Sequence, residues 1–208
     1  RGVRADGYFI AFEGGDGAGK STQVRLLADA LRATGRQVVV TRQPGGTALG
    51  RGLRDLVLHG EAMAPRAEVL LFAADKAQHV AEVVRPALAA GQVVLTDRYT
   101  DSSVAYQGAA RDLGAEAVHA LQMWAVEDLV PDLTVVVDVP EDEGRRRRGE
   151  VHDRLEAEDD GFHAAVRAHF IDLAEGHPER CLLVDGRLGP EAIHAAVVGR
   201  LRDAGVFP

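Results

Sequence analysis

Apolar, β-branched runs alternate along this chain with segments of helical period. Strands are predicted at 8–13, 37–41, 93–97, 133–139 and 181–185, and several are apolar almost throughout, as parallel strands covered on both faces must be. Helical patterns occupy 20–34, 47–59, 65–90, 114–128, 159–175 and 190–204. In the first of these, Val24, Leu27, Ala28 and Leu31 recur at i, i+3, i+4 and i+7 and form one apolar stripe. Pro86, inside the third, should kink or break it. The alternation predicts an α/β three-layer fold on an open parallel sheet, with 8–208 forming one domain. Segment 141–160 interrupts the pattern: dense in both charges and poor in apolar residues, it reads as a mobile, solvated insertion between a strand and the next helix. Residues 1–7 lack an initiator Met and any apolar pattern, and read as a flexible arm left by truncation or trimming.

Ligands of such folds sit beyond the carboxyl ends of the strands, which directs attention to the loops at 14–20, 42–47, 97–106 and 141–154. The first is Gly14-Gly15-Asp16-Gly17-Ala18-Gly19-Lys20-Ser21-Thr22, of form G-x-x-x-x-G-K-S, set between a strand and a helix. Glycines let successive backbone N–H groups turn inward around phosphate oxygens, and the helix N-terminus adds partial positive charge. Lys20 can reach the outer phosphates and the Ser21 hydroxyl can ligate Mg²⁺, so the chain is expected to bind a nucleoside triphosphate. Asp97 ends an apolar strand and can hold the same metal directly or through water, while Arg98 offers a planar fork to a phosphate. Thr41-Arg42-Gln43-Pro44-Gly45-Gly46-Thr47 is either a plain strand-to-helix turn or a place where backbone closely approaches a ligand. Arg145, Arg146, Arg147 and Arg148 form a basic island among many carboxylates, which fits a loop closing over triphosphate better than a nucleic-acid track.

Composition adds exclusions. The net charge of −8 argues against broad attraction to nucleic acid or anionic membrane, and no apolar run approaches a membrane span of about 20 residues. Cys181 is the only cysteine, lies in an apolar run and reads as a small buried hydrophobe; together these features point to the cytoplasm. Asn is absent, which removes the guanine-reading N-K-x-D motif and with it an ordinary GTPase. Lys occurs only at positions 20 and 76, a hint that Lys is wanted at each.

Taken together, F-E-G-G-D-G-A-G-K-S-T-Q, T-R-Q-P-G-G-T, L-L-F-A-A-D-K, T-D-R-Y-x-D-S-S-V-A-Y-Q-G and D-R-L-E resemble the thymidylate kinase family, in order, from residue 8 to residue 201. The resemblance implies a P-loop nucleoside monophosphate kinase fold with five parallel strands, a flexible lid over about 141–158, a homodimer, and Mg²⁺-dependent transfer from ATP to dTMP. The same resemblance places Asp16 between donor and acceptor, near metal and deoxyribose, and puts Arg98 on the acceptor phosphate with Arg42 and Pro44 close by. Phe72 would stack on the base, Ser103 would face its Watson–Crick edge, Tyr106 would crowd the 2′ position and Gln107 would help fix the acceptor.

Two positions depart from the family pattern. Gln43 replaces a Glu, and Lys76 stands where a base-reading Arg is usual, losing the planar fork; kinases for other or modified deoxynucleoside monophosphates therefore stay open, as does an ATPase acting through a partner. The family draws its catalytic arginine either from the phosphate loop, where this chain has Gly17, or from the lid, where it has Arg147, Arg148 and Arg154 among others. An arginine so supplied is worth about 10³–10⁵ in rate. Introducing Gly17→Arg into a variant stripped of lid arginines is expected to restore part of its turnover; steady-state kinetics showing no recovery would rule out the substitution of one source for the other.

Overall fold

The computed structural model describes residues 7–147 and 153–207; the arm expected at 1–7 lies outside this range apart from Gly7, as does Arg148. Five parallel strands form one sheet in the order β2-β3-β1-β4-β5: β1 Tyr8–Glu13, β2 Val38–Arg42, β3 Val93–Asp97, β4 Leu133–Asp138 and β5 Cys181–Asp185. The central strand explains the layering. Phe9, Ile10, Ala11 and Phe12 have no exposed surface, and alternation sends them to opposite faces. Ile10 and Phe12 join Val24, Leu27 and Leu31 of α1 (Lys20–Ala33) and Val197 and Leu201 of α9 (Pro190–Asp203). Phe9 and Ala11 join Val80, Val84, Leu88 and Tyr99 on the other face.

Between β2 and β3 lie α2 (Ala48–His59), α3 (Pro65–His79) and α4 (Arg85–Ala89). Pro86 does not end the long third helix, which runs on to Ala89, but Val80–Val84 just before it widens into a π-turn. A proline has no N–H to give and its ring crowds the carbonyl four residues back, so the wider turn relieves both. After β3 the chain is helical where a loop was expected: α5 (Thr100–Ser103) runs into a π-helical stretch, Val104–Ala110, before α6 (Ala115–Ala125). Residues 100–108 are all buried, so their backbone must find internal partners, and a helix supplies them.

The expected insertion is exposed over much of its described part, but its first limb is helical and not a loop. Glu141–Arg147 forms α7, and α8 (Asp160–Gly176) follows. Acids occupy the first turn of α7 and arginines its last, which complements the helix dipole at both ends.

Register brings the loops together. Phe12 lies opposite Asp97, Arg42 opposite Asp97 and Glu13 opposite Val136, so the turns after β1, β2, β3 and β4 leave the sheet side by side. Gly14 has φ +133°, and a Cβ there would stand 2.3 Å from the carbonyl oxygen of Val137 on β4. Gly14→Ala is expected to push the phosphate loop off β4, lowering both Tm and ATP affinity, the latter by more than about tenfold, since each 1.4 kcal/mol of loop strain is tenfold in binding; unchanged nucleotide binding by calorimetry would show that the close approach is not needed.

Candidate active site

The loop Gly14–Gly19 closes onto the first residue of α1. Lys20, 6% exposed, donates through Nζ to the carbonyls of Gly14 (3.1 Å) and Gly15 (2.8 Å). Burial and the neighbouring Arg98 push its ammonium down from the ordinary lysine value, while Asp97, Asp16 and Glu13 act against that shift. Ser21 Oγ donates to Asp97 Oδ2 at 2.8 Å. Two oxygens at that separation match adjacent ligands of one octahedral Mg²⁺, an ion that takes one or two protein oxygens and leaves the rest to water and phosphate. Ser21 and Asp97 therefore fit the metal. Asp16 lies beside them with each oxygen accepting one hydrogen bond: Arg98 Nη2 donates to Oδ1 at 2.6 Å and the Tyr106 hydroxyl donates to Oδ2 at 3.0 Å. Burial would raise the Asp16 carboxyl, but Arg98 and Lys20 overcome it and hold the group well below the usual carboxylate range.

Arg98 is the hub. Its backbone turns left-handed (φ 69°) directly after β3, and its N–H donates to the carbonyl of Phe12 at 2.9 Å. Nη1 reaches Gly14 O (3.1 Å) and Ser102 Oγ (3.0 Å), and Nη2 also reaches the Tyr106 hydroxyl (3.1 Å). Beneath it sits Glu13, with no exposed surface, which sequence reasoning passed over as a strand residue. It accepts from Tyr99 N (2.7 Å), Ser102 N (3.2 Å) and Ser102 Oγ (2.5 Å). Its burial, assisted by Asp101, pushes the carboxyl up to about 7.

A cleft of about 460 Å³ runs from this hub to an aromatic wall, a size suited to a nucleotide-scale ligand. Of the residues expected to bind an acceptor, it gathers Asp16, Arg42, Pro44, Phe72, Lys76, Arg98, Ser103, Tyr106 and Gln107. Lys76 is buried, its Nζ 5.3 Å from the Phe72 ring centroid and 2.8 Å from Ser103 Oγ, to which it donates; burial lowers its ammonium to about 8. Gln107 lines the cleft, but its amide donates to Glu68 Oε1 at 2.8 Å. Gln43 is accounted for by His79: its amide Nε2 donates to Nδ1 at 2.5 Å, and Nε2 of the ring then donates to Thr41 Oγ1 at 2.7 Å. Burial, with Lys76 beside it, lowers His79 to about 4, so this relay is between neutral groups.

The candidate lid arginines separate. Arg147 lines the cleft, its Nε donating to Glu143 Oε1 at 2.8 Å and its Nη1 to Gly186 O at 2.9 Å. Arg154 does not line it, pairing instead with Glu68 at 2.5 Å. Helix α7 rests on the phosphate loop through Gly144, where a Cβ would lie 3.0 Å from Asp16 O. Sequence reasoning also missed Arg54, a cleft residue whose Nη1 donates to Pro44 O at 3.0 Å. Its signal was present: Gly50, Arg54, Val57 and Leu58 keep the i, i+4, i+7, i+8 spacing of the buried face of α2.

A parallel sheet ordered β2-β3-β1-β4-β5, with a phosphate loop after its central strand and an acceptor cleft alongside, has the architecture of a P-loop nucleoside monophosphate kinase. The solved structure of thymidylate kinase from Ehrlichia chaffeensis superposes with a TM-score of 0.77 at 31% identity, covering 94% of this chain and 98% of that one. Thymidylate kinase of Leifsonia xyli subsp. xyli is 55% identical over 199 residues, covering 94% of each chain. Thymidylate kinase of Bifidobacterium longum is 48% identical over 203 residues, covering 95% of this chain and 98% of the relative. A family model described as Thymidylate kinase matches residues 12–197. The chain belongs to the thymidylate kinase family.

Glu13 has a consequence for stability. Between its ordinary value of 4.5 and about 7 the folded protein keeps a proton that the unfolded chain has released. Its contribution to stability therefore declines as pH rises through that window, by about 3 kcal/mol in all. Glu13→Gln is expected to flatten this part of the Tm–pH curve; a wild-type slope in the variant would assign the dependence to other groups.

Proposed function

We propose that the residues of this cleft divide the work of the family's reaction, transfer of the terminal phosphoryl group of ATP to dTMP to give ADP and dTDP. The observation that carries this reading is that phosphate loop and aromatic-walled pocket open into one cleft, with Arg98 at their junction. A loop built for hydrolysis alone has no use for such a pocket.

The acceptor phosphate is already an anionic nucleophile, so no strong general base is needed, and direct in-line transfer needs chiefly alignment and charge neutralisation. Backbone N–H groups of residues 14–19 and the start of α1 receive the donor phosphates, and Lys20 exchanges its loop carbonyls for their oxygens. Ser21 and Asp97 would hold Mg²⁺, which would supply charge neutralisation to the donor phosphates. Arg98 after β3, Arg42 at the end of β2 and Arg54 on α2 face the acceptor phosphate from three sides. Asp16 keeps Arg98 and Tyr106 in place. Phe72 offers a ring face to the base, and Tyr106 a wall to the sugar. The Lys76 ammonium, pure donor when charged, and the Ser103 hydroxyl suit a base edge carrying carbonyl oxygens.

Segment 141–158 acts as lid, and Arg147, which lines the cleft and whose carboxylate partner Glu143 is partly exposed where that of Arg154 is fully buried, is the arginine it brings to the transferring group. Closure keeps out water that would otherwise hydrolyse ATP. The protein works as a homodimer in the cytoplasm, where ATP and dTMP meet; Leu56, Leu70 and Trp124, exposed on the neighbouring helices α2, α3 and α6, offer apolar surface for the pairing. In a coupled assay of ADP release, ATP and Mg²⁺ alone are expected to give almost none and dTMP to give more than dUMP, dCMP or dGMP. Release independent of any monophosphate would mean an ATPase instead.

A further inference from the structure

Three consecutive residues of the lid point in alternating directions. Asp153 and Leu155 line the cleft, whereas Arg154 turns away from it into the body of the protein. There its backbone N–H donates to Leu58 O at 2.9 Å, its Nε donates to Val57 O at 3.0 Å, and its Nη2 lies 2.5 Å from Glu68 Oε2. Glu68, on α3, has no exposed surface. The same carboxylate accepts from Gln107 Nε2 at 2.8 Å and from Arg111 Nε and Nη2, both at 3.3 Å. Arg111 pairs in turn with Glu158, further along the lid, at 2.6 Å.

Two carboxylates and two guanidinium groups thus balance one another, which a fully buried Glu68 requires, since an unpaired charge out of water costs several kcal/mol. The partners are informative. Arg154 and Glu158 belong to the returning limb of the lid, Gln107 to the acceptor wall, and Glu68 stands one helical turn before Phe72 on the same helix. A guanidinium held by a buried carboxylate and a main-chain carbonyl is not free to swing onto a phosphate.

We propose that Glu68 is a positioning residue: by holding Arg154 and Gln107 on one carboxylate it ties the returning limb of the lid to the acceptor pocket, and Arg154 is the anchor of the lid and not a phosphate ligand. This rests on the kinase reading above. Its consequence is that order in the acceptor pocket and order in the lid are coupled, so losing the anchor is felt first in acceptor affinity.

The test is a double-mutant cycle of Glu68→Gln and Arg154→Met, with Tm, KM for dTMP, KM for ATP and kcat measured for each variant and for the wild-type protein. Each single variant is expected to raise KM for dTMP by about tenfold, the scale of one lost charged hydrogen bond, with KM for ATP moving less than about threefold. The double variant should be no worse than the worse single one, because both remove the same contact. A fall in kcat of about 10³ or more for Arg154→Met, multiplying with the effect of Glu68→Gln, is the signature of an arginine acting on the phosphoryl group, and overturns the proposal. A loss of Tm with KM for dTMP unchanged also overturns it, since that is packing alone. If Glu68→Gln fails to fold, Arg154→Met decides by the same split between KM and kcat, because Arg111 and Gln107 still satisfy Glu68 in that variant. Wild-type protein that releases no ADP with dTMP takes down the kinase reading and this inference together; normal wild-type turnover with multiplying defects takes down this inference only.

Discussion

The pairing of β1 with β3, Phe12 opposite Asp97, is the contact on which the cleft depends. It sets the end of one strand beside the end of the other, so Gly14 and Arg98 leave the sheet as neighbours, and the Arg98 N–H donates to the Phe12 carbonyl. From this follow the reach of the Arg98 guanidinium to Gly14 O and Asp16, and the reach of Ser21 to Asp97. A slip of one residue would exchange the faces of the strand, placing Phe9 and Ala11 in the core fitted around Ile10 and Phe12 and the reverse. The apolar residues of β1 guard against that slip, because its alternate side chains belong to two different cores.

Around this register the protein buries several ionisable side chains. Glu13, Lys20, Glu68, Asp75, Lys76 and Asp101 are all nearly or wholly hidden from solvent. Ionisable groups in such positions are tolerated when each is tightly bound, and Glu13 and Glu68 meet the condition alike: one carboxyl group gathers several donors from parts of the chain distant in sequence. Glu13 unites the main chain after β3 with Ser102. Glu68 unites the π-helical stretch with the lid. Such groups make a cleft rigid, since moving one donor leaves a buried carboxyl group incompletely satisfied.

The fold was largely legible because its signal is periodic. All five strands and most of the helices follow from apolar runs and i, i+3, i+4 spacing, and Pro86 marked the irregular turn of the third helix. Helix α5 and the π-helical stretch after it were hidden because Asp101, Ser102 and Ser103 look like loop residues, although each is buried beside a partner or a helix turn. In α7 the succession of acids and arginines obscured a helix that this very order favours. At the site, residues identified by motif were found on one cleft, but the groups that hold them were not. Glu13 and Glu68 carry no motif; their importance lies in which distant donors they meet, and only tertiary structure brings Tyr99, Gln107 or Arg154 to them. Arg54 is intermediate, visible as a charge where the spacing of α2 asks for an apolar side chain.

Gly144 lets α7 lie directly on the main chain at Asp16. No side chain stands between them, so the lid takes its seat from the course of the phosphate loop itself. The arrangement resembles a bearing surface: the arginine-rich exterior of α7 can vary in sequence without disturbing it, while a change in the loop's path at Asp16 is passed on as displacement of the whole helix and of the arginine at its end. Two pieces of the protein that are far apart along the chain are thereby geared together by bare backbone.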